Sequence, residues 1–258
     1  MIIRKSKQEI ELMAAAGAVV AGTLALLEER LEPGISMLEL DRLADEYIAS
    51  QGAVPTSKGY GPPGKGFPAA TCISPNDMIV HGIPDAYRAR EGDIISFDIG
   101  VTKDGMIADS AATFAVGEIS PEAQRLLDVC RAALDAGIEA AQLGAMIGDI
   151  SAAVQTVVED AGFSVVRSLV GHGVGKAYHE DPQVPNFVLP YRGPELVEGM
   201  TIAIEPMITA GGPDVFIHDD DWSISTSDDT LAAHFEHTVA ITAEGPRVLT
   251  TAAPVLVP

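Results

Sequence analysis

Two aspartates lie in one predicted β-hairpin, DIISFDIGVTKDGMIADSAATFAVG, where Asp98 precedes the turn and Asp109 follows it. A turn at Lys103–Asp104 would put the two carboxylates directly opposite each other. A turn at Asp104–Gly105 would make them diagonal neighbours on the same face, whereas a three-residue loop would separate them unless a bulge intervened. Carboxylates this close repel one another and Asp is a poor strand former, so the pair needs a cation or several hydrogen bonds. The pattern leaves a metal site and an exposed surface position open.

Two glutamates also lie in apolar segments that are predicted to form strands. Glu205 is in MTIAIEPMI and Glu236 is in AAHFEHTVAIT. A single Glu in a strand usually lies at a solvated edge, and an unpaired charge is costly to bury. Two such residues, beside two aspartates in apolar strands, indicate a cluster of carboxylates around a cation.

The loop GHGVGKAYHED, residues 171–181, supplies two of the six histidines. His172 and His179 would share one face of a helix, but each interior glycine costs a helix about 1 kcal/mol, so the segment is predicted to be a loop. Metal binding, base catalysis and phosphate binding are three possible roles for it. The last is disfavoured because GHGVGK lacks the Gly-Lys-Ser/Thr ending of a phosphate-binding loop.

The other four histidines carry weaker signals. His81 lies at a strand-to-turn junction in IVHGIP, His218 lies in the polar stretch IHDDD, and His234 and His237 flank Glu236. His237 is an odd number of residues from Glu236, so we expect it on the other face of the sheet, in the core or behind the site. An oxygen-rich set with one or two imidazoles suits Mn, Fe, Co or Zn in a paired hydrolytic centre and does not suit structural zinc.

The elements that would position these side chains repeat along the chain. Residues 6–53 and 120–163 each show apolar residues at helical spacing, interrupted by a glycine-containing break and ended by Gly52 or Gly162. A β-rich stretch follows each helical pair. The chain therefore reads as two αα-β halves, with helices backing a mixed or antiparallel sheet, and the junction of two such halves is a favoured place for a pocket.

Composition narrows the function classes. With 37 acidic and 16 basic residues, the net charge of −21 argues against direct binding to nucleic acid or an anionic membrane, since both need a basic surface. Cys72 and Cys130 show no metal or redox spacing, which is typical of a reducing compartment. The apolar run 14–27 is shorter than the roughly 20 residues that cross a bilayer and predicts a buried helix.

The ordered set of motifs resembles the type I methionine aminopeptidases over essentially the whole chain. The segments that carry the resemblance are CISPNDMIVHGIP, GDIISFDIGVTKDGMIADSAATF, GHGVGKAYHEDPQVPNF, GMTIAIEPM and DDTLAAHFEHTVAIT. The resemblance implies an α+β pita-bread fold, that of creatinase and methionine aminopeptidase, with two pseudo-symmetric halves around a curved antiparallel sheet. The expected organisation is one catalytic domain over 1–258, with halves of roughly 1–118 and 119–258 and no extra N-terminal domain.

The same resemblance implies the chemistry. Two divalent ions (Co, Mn, Fe or Zn) would be held by five side chains: Asp98, Asp109, His172, Glu205 and Glu236, with Asp109 and Glu236 bridging the ions. His81 and His179 would contact the substrate, and Glu205 would also act as the base. The implied reaction is hydrolysis of the first peptide bond by a metal-bridged water or hydroxide. It releases N-terminal methionine from nascent proteins with a small second residue.

The resemblance places four side chains around the methionine: Cys72, Phe67, Tyr178 and Trp222. Core packing is the alternative for each of them. The glycine- and proline-rich loop 56–70 is predicted to be either a plain connection or a wall of the pocket, and its GYGPPGKGF departs from the family's tyrosine-rich pattern. The sequence alone therefore does not decide which residues form that wall of the pocket.

Two rival functions share the fold. A proline-specific peptidase usually carries a large extra N-terminal domain, and a binding protein without metals would not need the Asp-Asp-His-Glu-Glu set. The resemblance further implies a cytoplasmic monomer that acts on the N-terminal methionine of nascent polypeptides. We expect a transient association with the ribosome and no direct binding to nucleic acid or membranes.

Overall fold

A computed structural model describes residues 1–251 of the chain. In it, pairs of helices alternate with groups of β-strands along the sequence. The last residues of the predicted domain, 252–258, lie outside the described residues. The four helices are α1 Lys7–Arg30, α2 Met37–Ser50, α3 Pro121–Ala140 and α4 Ile147–Asp160. The strands of the first half are β1 Val54–Pro55, β2 Cys72–Pro75, β3 Met78–Val80, β4 Ile94–Lys103 and β5 Met106–Ala115. Those of the second half are β6 Ser164–Val165, β7 Gly171–Gly173, β8 Glu180–Val184, β9 Thr201–Ile204, β10 Met207–Thr209, β11 Val215–Ile217, β12 Ile224–Thr226, β13 Ala232–His234, β14 His237–Thr242 and β15 Gly245–Val248.

Serine residues begin three of the four helices. Ser6 forms a capping box with Glu9 at the start of α1, in which each side chain accepts the other residue's backbone N–H. Ser36 and Ser120 accept the N–H three residues on, so each satisfies one of the donors that a helix start leaves free. Gly52 and Gly162, just beyond α2 and α4, have positive φ angles of 65° and 79°, which glycine adopts without a steric penalty. Local sequence therefore sets the limits of both helix pairs.

Helix α1 contains the apolar run 14–27. By length and composition alone this helix could cross a membrane, and half of its most apolar window is buried inside the protein. Its residues Val20 and Leu27 are fully buried in a cluster that also holds Phe97 and Ile99 of β4. Burying one such aliphatic side chain contributes about 2 kcal/mol. The run thus forms a core helix that supports the strand carrying Asp98.

All paired strands are antiparallel. The first half has one four-stranded sheet in the order β1-β4-β2, with β5 paired to β4, and the second half has a five-stranded sheet in the order β15-β14-β9-β7-β8. Two three-stranded sheets, β13-β10-β6 and β11-β12-β3, complete the arrangement. Helices α3 and α4 pack on β9 and β14 through a second core cluster that includes Leu126, Val154 and Ile204. The predicted α+β class is confirmed, with each helix pair packed against the strands of its own half.

Candidate metal centre

The β4–β5 hairpin sets the geometry of the two aspartates. Lys103 pairs with Met106, so the turn is Asp104–Gly105, and both turn residues have positive φ (50° and 76°), as a two-residue type I′ turn requires. Asp98 pairs with Ala111 and Asp109 pairs with Gly100. The carboxylates are therefore diagonal neighbours on one face, which is the second of the two arrangements the sequence allowed.

Gly100, which faces Asp109 across the ladder, has a separate role. A Cβ atom on this residue would lie 2.4 Å from the ring of Tyr178. The Tyr178 hydroxyl lies 3.5 Å from the Asp109 carboxylate and 3.3 Å from the Ser57 hydroxyl. The glycine thus leaves room for an aromatic ring beside the aspartates, and sequence reasoning missed it because it reads as an ordinary strand residue.

The two glutamates lie at strand breaks, and the prediction that they sit within strands was wrong. Glu205 follows the end of β9 at Ile204, because the next residue, Pro206, has no N–H to continue a ladder. Glu236 lies between β13 and β14, and its N–H donates to the carbonyl of Ala111 at 2.9 Å. Residues at a strand break do not have to follow the alternation of side chains between the two faces of a sheet. Both glutamate side chains can therefore point toward the aspartates.

His172 joins the carboxylates from the neighbouring strand β7. Its Nε2 lies 3.4 Å from Glu205 Oε1 and 3.9 Å from Asp109 Oδ2. Its Nδ1 lies 2.9 Å from the carbonyl oxygen of Gly173, which can only accept, so Nδ1 carries the proton and Nε2 keeps its lone pair. Asp109, His172 and Glu236 each offer one atom within 4.8 Å of the others. These three side chains could therefore hold a metal ion together.

Burial makes these carboxylates costly without a cation. Burial raises the pKa of Asp98 to about 7. It also raises the pKa values of Asp109, Glu205 and Glu236 well above their usual range, and the neighbouring carboxylates add to the shift in each case. Within residues 1–251, Asp98 Oδ1 and Glu236 Oε1 are buried with no hydrogen-bond partner. Divalent cations fit this donor set, because they would supply the charge and the contacts that the protein does not.

The two catalytic candidates His81 and His179 line the same cleft as the carboxylates. His81 follows β3 with a φ of 58°, and burial, followed by the proximity of His179, lowers its pKa to about 4. His179 lies at the exposed rim, with its ring centre 4.1 Å from that of His172. Its Nδ1 is 2.7 Å from the Tyr60 hydroxyl. His172 on β7 and His179 in the turn before β8 thus both face one cleft, and the prediction that all of 171–181 is a loop was wrong at its two ends.

The four predicted methionine-pocket residues line this cleft as well. Phe67, Cys72 and Tyr178 are buried, and Phe67 meets Trp222 edge to face with ring centres 5.4 Å apart. The cleft is also lined by residues that sequence reasoning did not single out: Ser57, Tyr60, Val80, Leu169, Val170 and Met207. The other cysteine, Cys130, is buried with its thiol donating to the Pro206 carbonyl at 3.3 Å, outside the cleft lining.

The loop 56–70 forms a wall of the cleft and not only a connection. The N–H of Gly59 donates to the carbonyl of Phe67, and the N–H of Phe67 donates to that of Tyr60, each at 2.8 Å. At Gly61 a Cβ atom would lie 2.9 Å from the Trp222 ring. The glycine- and proline-rich tip therefore packs closely on Trp222 and carries Tyr60 and Phe67 into the lining.

The remaining histidines lie outside the ligand set. His234 Nε2 is 3.9 Å from Glu205 Oε2, so it stands behind that carboxylate. His237 Nδ1 is 2.8 Å from the Thr250 hydroxyl and 3.3 Å from that of Ser110. His218 pairs with Ser225 at 2.8 Å. The expectation that His237 lies behind the site agrees with its contact to Ser110, the neighbour of Asp109.

Comparisons with known proteins show which family the chain resembles. The sequence pattern of metallopeptidase family M24 matches residues 11–243. The chain is 48% identical to a methionine aminopeptidase of Clostridium perfringens over 97% of this chain and 99% of that protein. A solved methionine aminopeptidase of Thermotoga maritima superposes with a TM-score of 0.93 at 40% identity, covering 97% of this chain and 100% of that one. A prolidase of Pyrococcus furiosus shares the fold at 23% identity, with a TM-score of 0.76 over 98% of this chain and 66% of its own length.

Proposed function

The chain belongs to metallopeptidase family M24, and on that premise we propose that it hydrolyses the first peptide bond of polypeptides to release N-terminal methionine. The observation that carries the proposal is the convergence of four carboxylates, two of them buried and two partly buried, with His172 beside an apolar pocket. The full-length likeness to methionine aminopeptidases supports this substrate over a proline-containing one. We further propose that the second residue of the substrate is small.

The ligand set suits two divalent ions, and we propose cobalt, manganese, iron or zinc. Five side chains would hold them: Asp98, Asp109, His172, Glu205 and Glu236. When bound, such ions supply Lewis acidity that polarises a carbonyl and makes a water molecule more acidic. The neutral Nε2 of His172 and the unpartnered oxygen of Asp98 are the donors that this set offers.

Proton transfer falls to Glu205. The carboxylate is nearly buried, lines the cleft, and lies 3.4 Å from Nε2 of His172, so it is close to where a metal-activated water would be held. We assign it the proton of the attacking water, which it then passes to the departing amine. The carbonyl of the same residue accepts the Asn186 amide at 2.8 Å, which fixes the backbone that carries the base.

The two cleft histidines stabilise charge on the substrate. His179 donates to the oxygen of the scissile carbonyl as negative charge develops there. The Tyr60 hydroxyl at its Nδ1 restricts the rotation of the ring. His81 is neutral because burial lowers its pKa to about 4, and it contacts the amide nitrogen and supports its departure.

The apolar side of the cleft binds the methionine side chain. Phe67 and Trp222 present an edge-to-face pair, and Cys72 and Tyr178 are nearly buried beside it. Sulfur next to aromatic ring edges gains about 0.3–1.5 kcal/mol, and a flexible thioether fits an irregular apolar pocket.

The biological setting follows from the same function. We propose a cytoplasmic monomer that meets nascent polypeptides during a transient association with the ribosome. The net charge of −21 disfavours direct binding to nucleic acid or to anionic membranes.

Hydrolysis of Met-Ala-Ser by the purified, full-length protein tests the proposal. Metal-stripped protein should be inactive and should recover activity on titration with Mn, Fe, Co or Zn, with an Xaa-Pro peptide as the comparison substrate. Methionine release only in the metal-loaded protein supports the function. Preferential cleavage of the Xaa-Pro peptide would assign the chain to the proline-specific branch, and the absence of any bindable divalent ion would overturn the proposal altogether.

A further inference from the structure

Lys5 and Glu180 form an ion pair that the proposed chemistry does not use. Their side chains are 1% and 3% exposed, and the ammonium contacts Glu180 Oε2. Burial lowers the pKa of Lys5, although Glu180 opposes the shift. Buried ion pairs are weak devices for stability, because apolar residues of similar volume often serve as well. The pair therefore calls for another explanation.

The second carboxylate oxygen of Glu180 is bonded to the turn that precedes His179. Oε1 accepts the backbone N–H groups of Lys176 at 2.6 Å and Ala177 at 3.0 Å. These two residues lead directly into Tyr178 and His179, which line the cleft. The carboxylate thus spans the turn, with one oxygen on its backbone and the other on Lys5.

Lys5 is held in place independently of Glu180. Its N–H donates to the Gly199 carbonyl at 2.6 Å, and its ammonium also lies 3.3 Å from the Ile3 carbonyl. A Cβ atom on Gly175 would lie 2.4 Å from Lys5 Cε, so the lysine stem packs directly on the turn. The N-terminal segment is therefore held in place by its own contacts, and the turn packs against it.

We propose that the Lys5–Glu180 pair is a positioning device that orients the turn 174–179 so that His179 faces the scissile bond. This inference rests on the proposed aminopeptidase function. Neither residue touches the substrate, and both act through His179. Without the pair, Glu180 would keep its backbone contacts but lose its contact with the N-terminal segment, and His179 would keep only the Tyr60 hydroxyl to orient its ring.

A double-mutant cycle on the metal-loaded protein separates positioning from stability. Lys5→Met should lower kcat for Met-Ala-Ser about tenfold with little change in KM, since small misplacements of a catalytic group cost rate. In a His179→Ala background the same substitution should cost less than about twofold, because the group it positions is gone. An equal loss in both backgrounds would overturn the inference, as would a wild-type kcat for Lys5→Met.

Two further variants keep the result interpretable. Lys176→Met breaks the exposed Lys176–Glu9 pair, 2.7 Å long, on the same turn, and should stay within about twofold of wild type. The double variant Lys5→Met/Glu180→Gln buries no unpaired charge and keeps an oxygen for the two N–H groups, so it replaces Lys5→Met in the cycle if that variant fails to fold. If the wild-type protein releases no methionine, the proposed function is refuted. If the wild type is active and the double variant has the same kcat, only the positioning role is refuted.

Discussion

The Tyr60 hydroxyl lies 2.7 Å from Nδ1 of His179 and so joins the tip of the loop 56–70 to the turn between β7 and β8 across the mouth of the cleft. The Tyr60 ring also meets Tyr178 edge to face, with ring centres 5.1 Å apart. Two segments from different halves of the chain therefore both help to hold the imidazole of His179 in place.

Removing that hydroxyl should impair turnover more than binding. We expect Tyr60→Phe to lower kcat for Met-Ala-Ser by about tenfold with a smaller change in KM, because a net hydrogen bond is worth about 1 kcal/mol and orients His179. Steady-state kinetics on the metal-loaded protein measures this. Tyr191→Phe, at an exposed tyrosine outside the cleft lining, is the matched control. Equal effects of the two substitutions would count against the role of Tyr60.

Glu205→Gln should abolish turnover while changing the shape of the site little. General base catalysis contributes about 10²–10⁴-fold, so we expect a loss of at least about 10³-fold in kcat. Metal content, measured by elemental analysis of the same preparation, distinguishes loss of the base from loss of an ion. A near wild-type rate with full metal content would remove Glu205 as the base.

Metal-free protein should become less stable as pH rises. The folded-state pKa of Asp98 is raised from 3.8 to about 7, so its neutral form supports folding at low pH and that support is lost as pH rises through about 7. The pKa values of Asp109, Glu205 and Glu236 are also raised by burial and by the neighbouring carboxylates, so these groups change the stability in the same direction. His172, with a pKa lowered to about 3 by burial, destabilises only below its unfolded value of 6.5.

Thermal unfolding of the chelator-treated protein at about pH 6.5 and about pH 8.5 checks this sign. We expect the melting temperature to fall by about 5 °C or more over this range and to recover when Mn²⁺ is added. Asp98→Asn should flatten the pH dependence, since it removes one of the titrating groups. A metal-free melting temperature that rises with pH would contradict the prediction.

Gly100→Ala should disturb the pocket without touching a proposed ligand. The new methyl group would lie 2.4 Å from the Tyr178 ring, so the ring must move, at a cost of about 1–3 kcal/mol in stability. We expect a raised KM for Met-Ala-Ser together with a lower melting temperature. Gly212→Ala is the control, because its methyl group would meet only Asp228 Oδ2 at 3.5 Å. Unchanged kinetics in Gly100→Ala would show that Tyr178 is not a wall of the pocket.

Trp222→Ala should weaken methionine binding selectively. Loss of the edge-to-face partner of Phe67 removes apolar contact area, and we expect about a tenfold rise in KM with a smaller change in kcat. Phe216→Ala, at an aromatic residue that is 44% exposed and outside the cleft lining, should leave both constants near wild type. A rise in KM of the same size in both variants would point to a general structural effect.

Much of this arrangement follows from local sequence. Apolar spacing and terminal glycines predict the two helix pairs, and the Asp104–Gly105 turn brings Asp98 and Asp109 to one face through strand alternation alone. Alternation could not place Glu205 and Glu236, because the strands stop beside them. These local patterns predicted the aspartate pair and indicated a carboxylate cluster, but they did not predict the strand breaks through which the glutamates reach it.

Contacts between distant parts of the chain were beyond such patterns. Tyr60 and His179 are 119 residues apart, and Lys5 and Glu180 are 175 apart. A lysine near the start of a chain and a glutamate after a histidine carry no signal of their own, since their pairing depends on how the two halves pack. Gly100 likewise becomes informative only when the Tyr178 ring is seen beside it.

The turn at Asp104–Gly105 restricts the number of residues in the chain as well as their type. A Cβ atom on Gly105 would meet nothing within 4 Å, so a side chain has space there, although the φ of 76° favours glycine. One added or lost residue, however, would shift β5 against β4 and send Asp109 to the opposite face of the sheet. Insertions and deletions in this outlying turn should therefore be as damaging to the enzyme as the loss of a carboxylate at its centre.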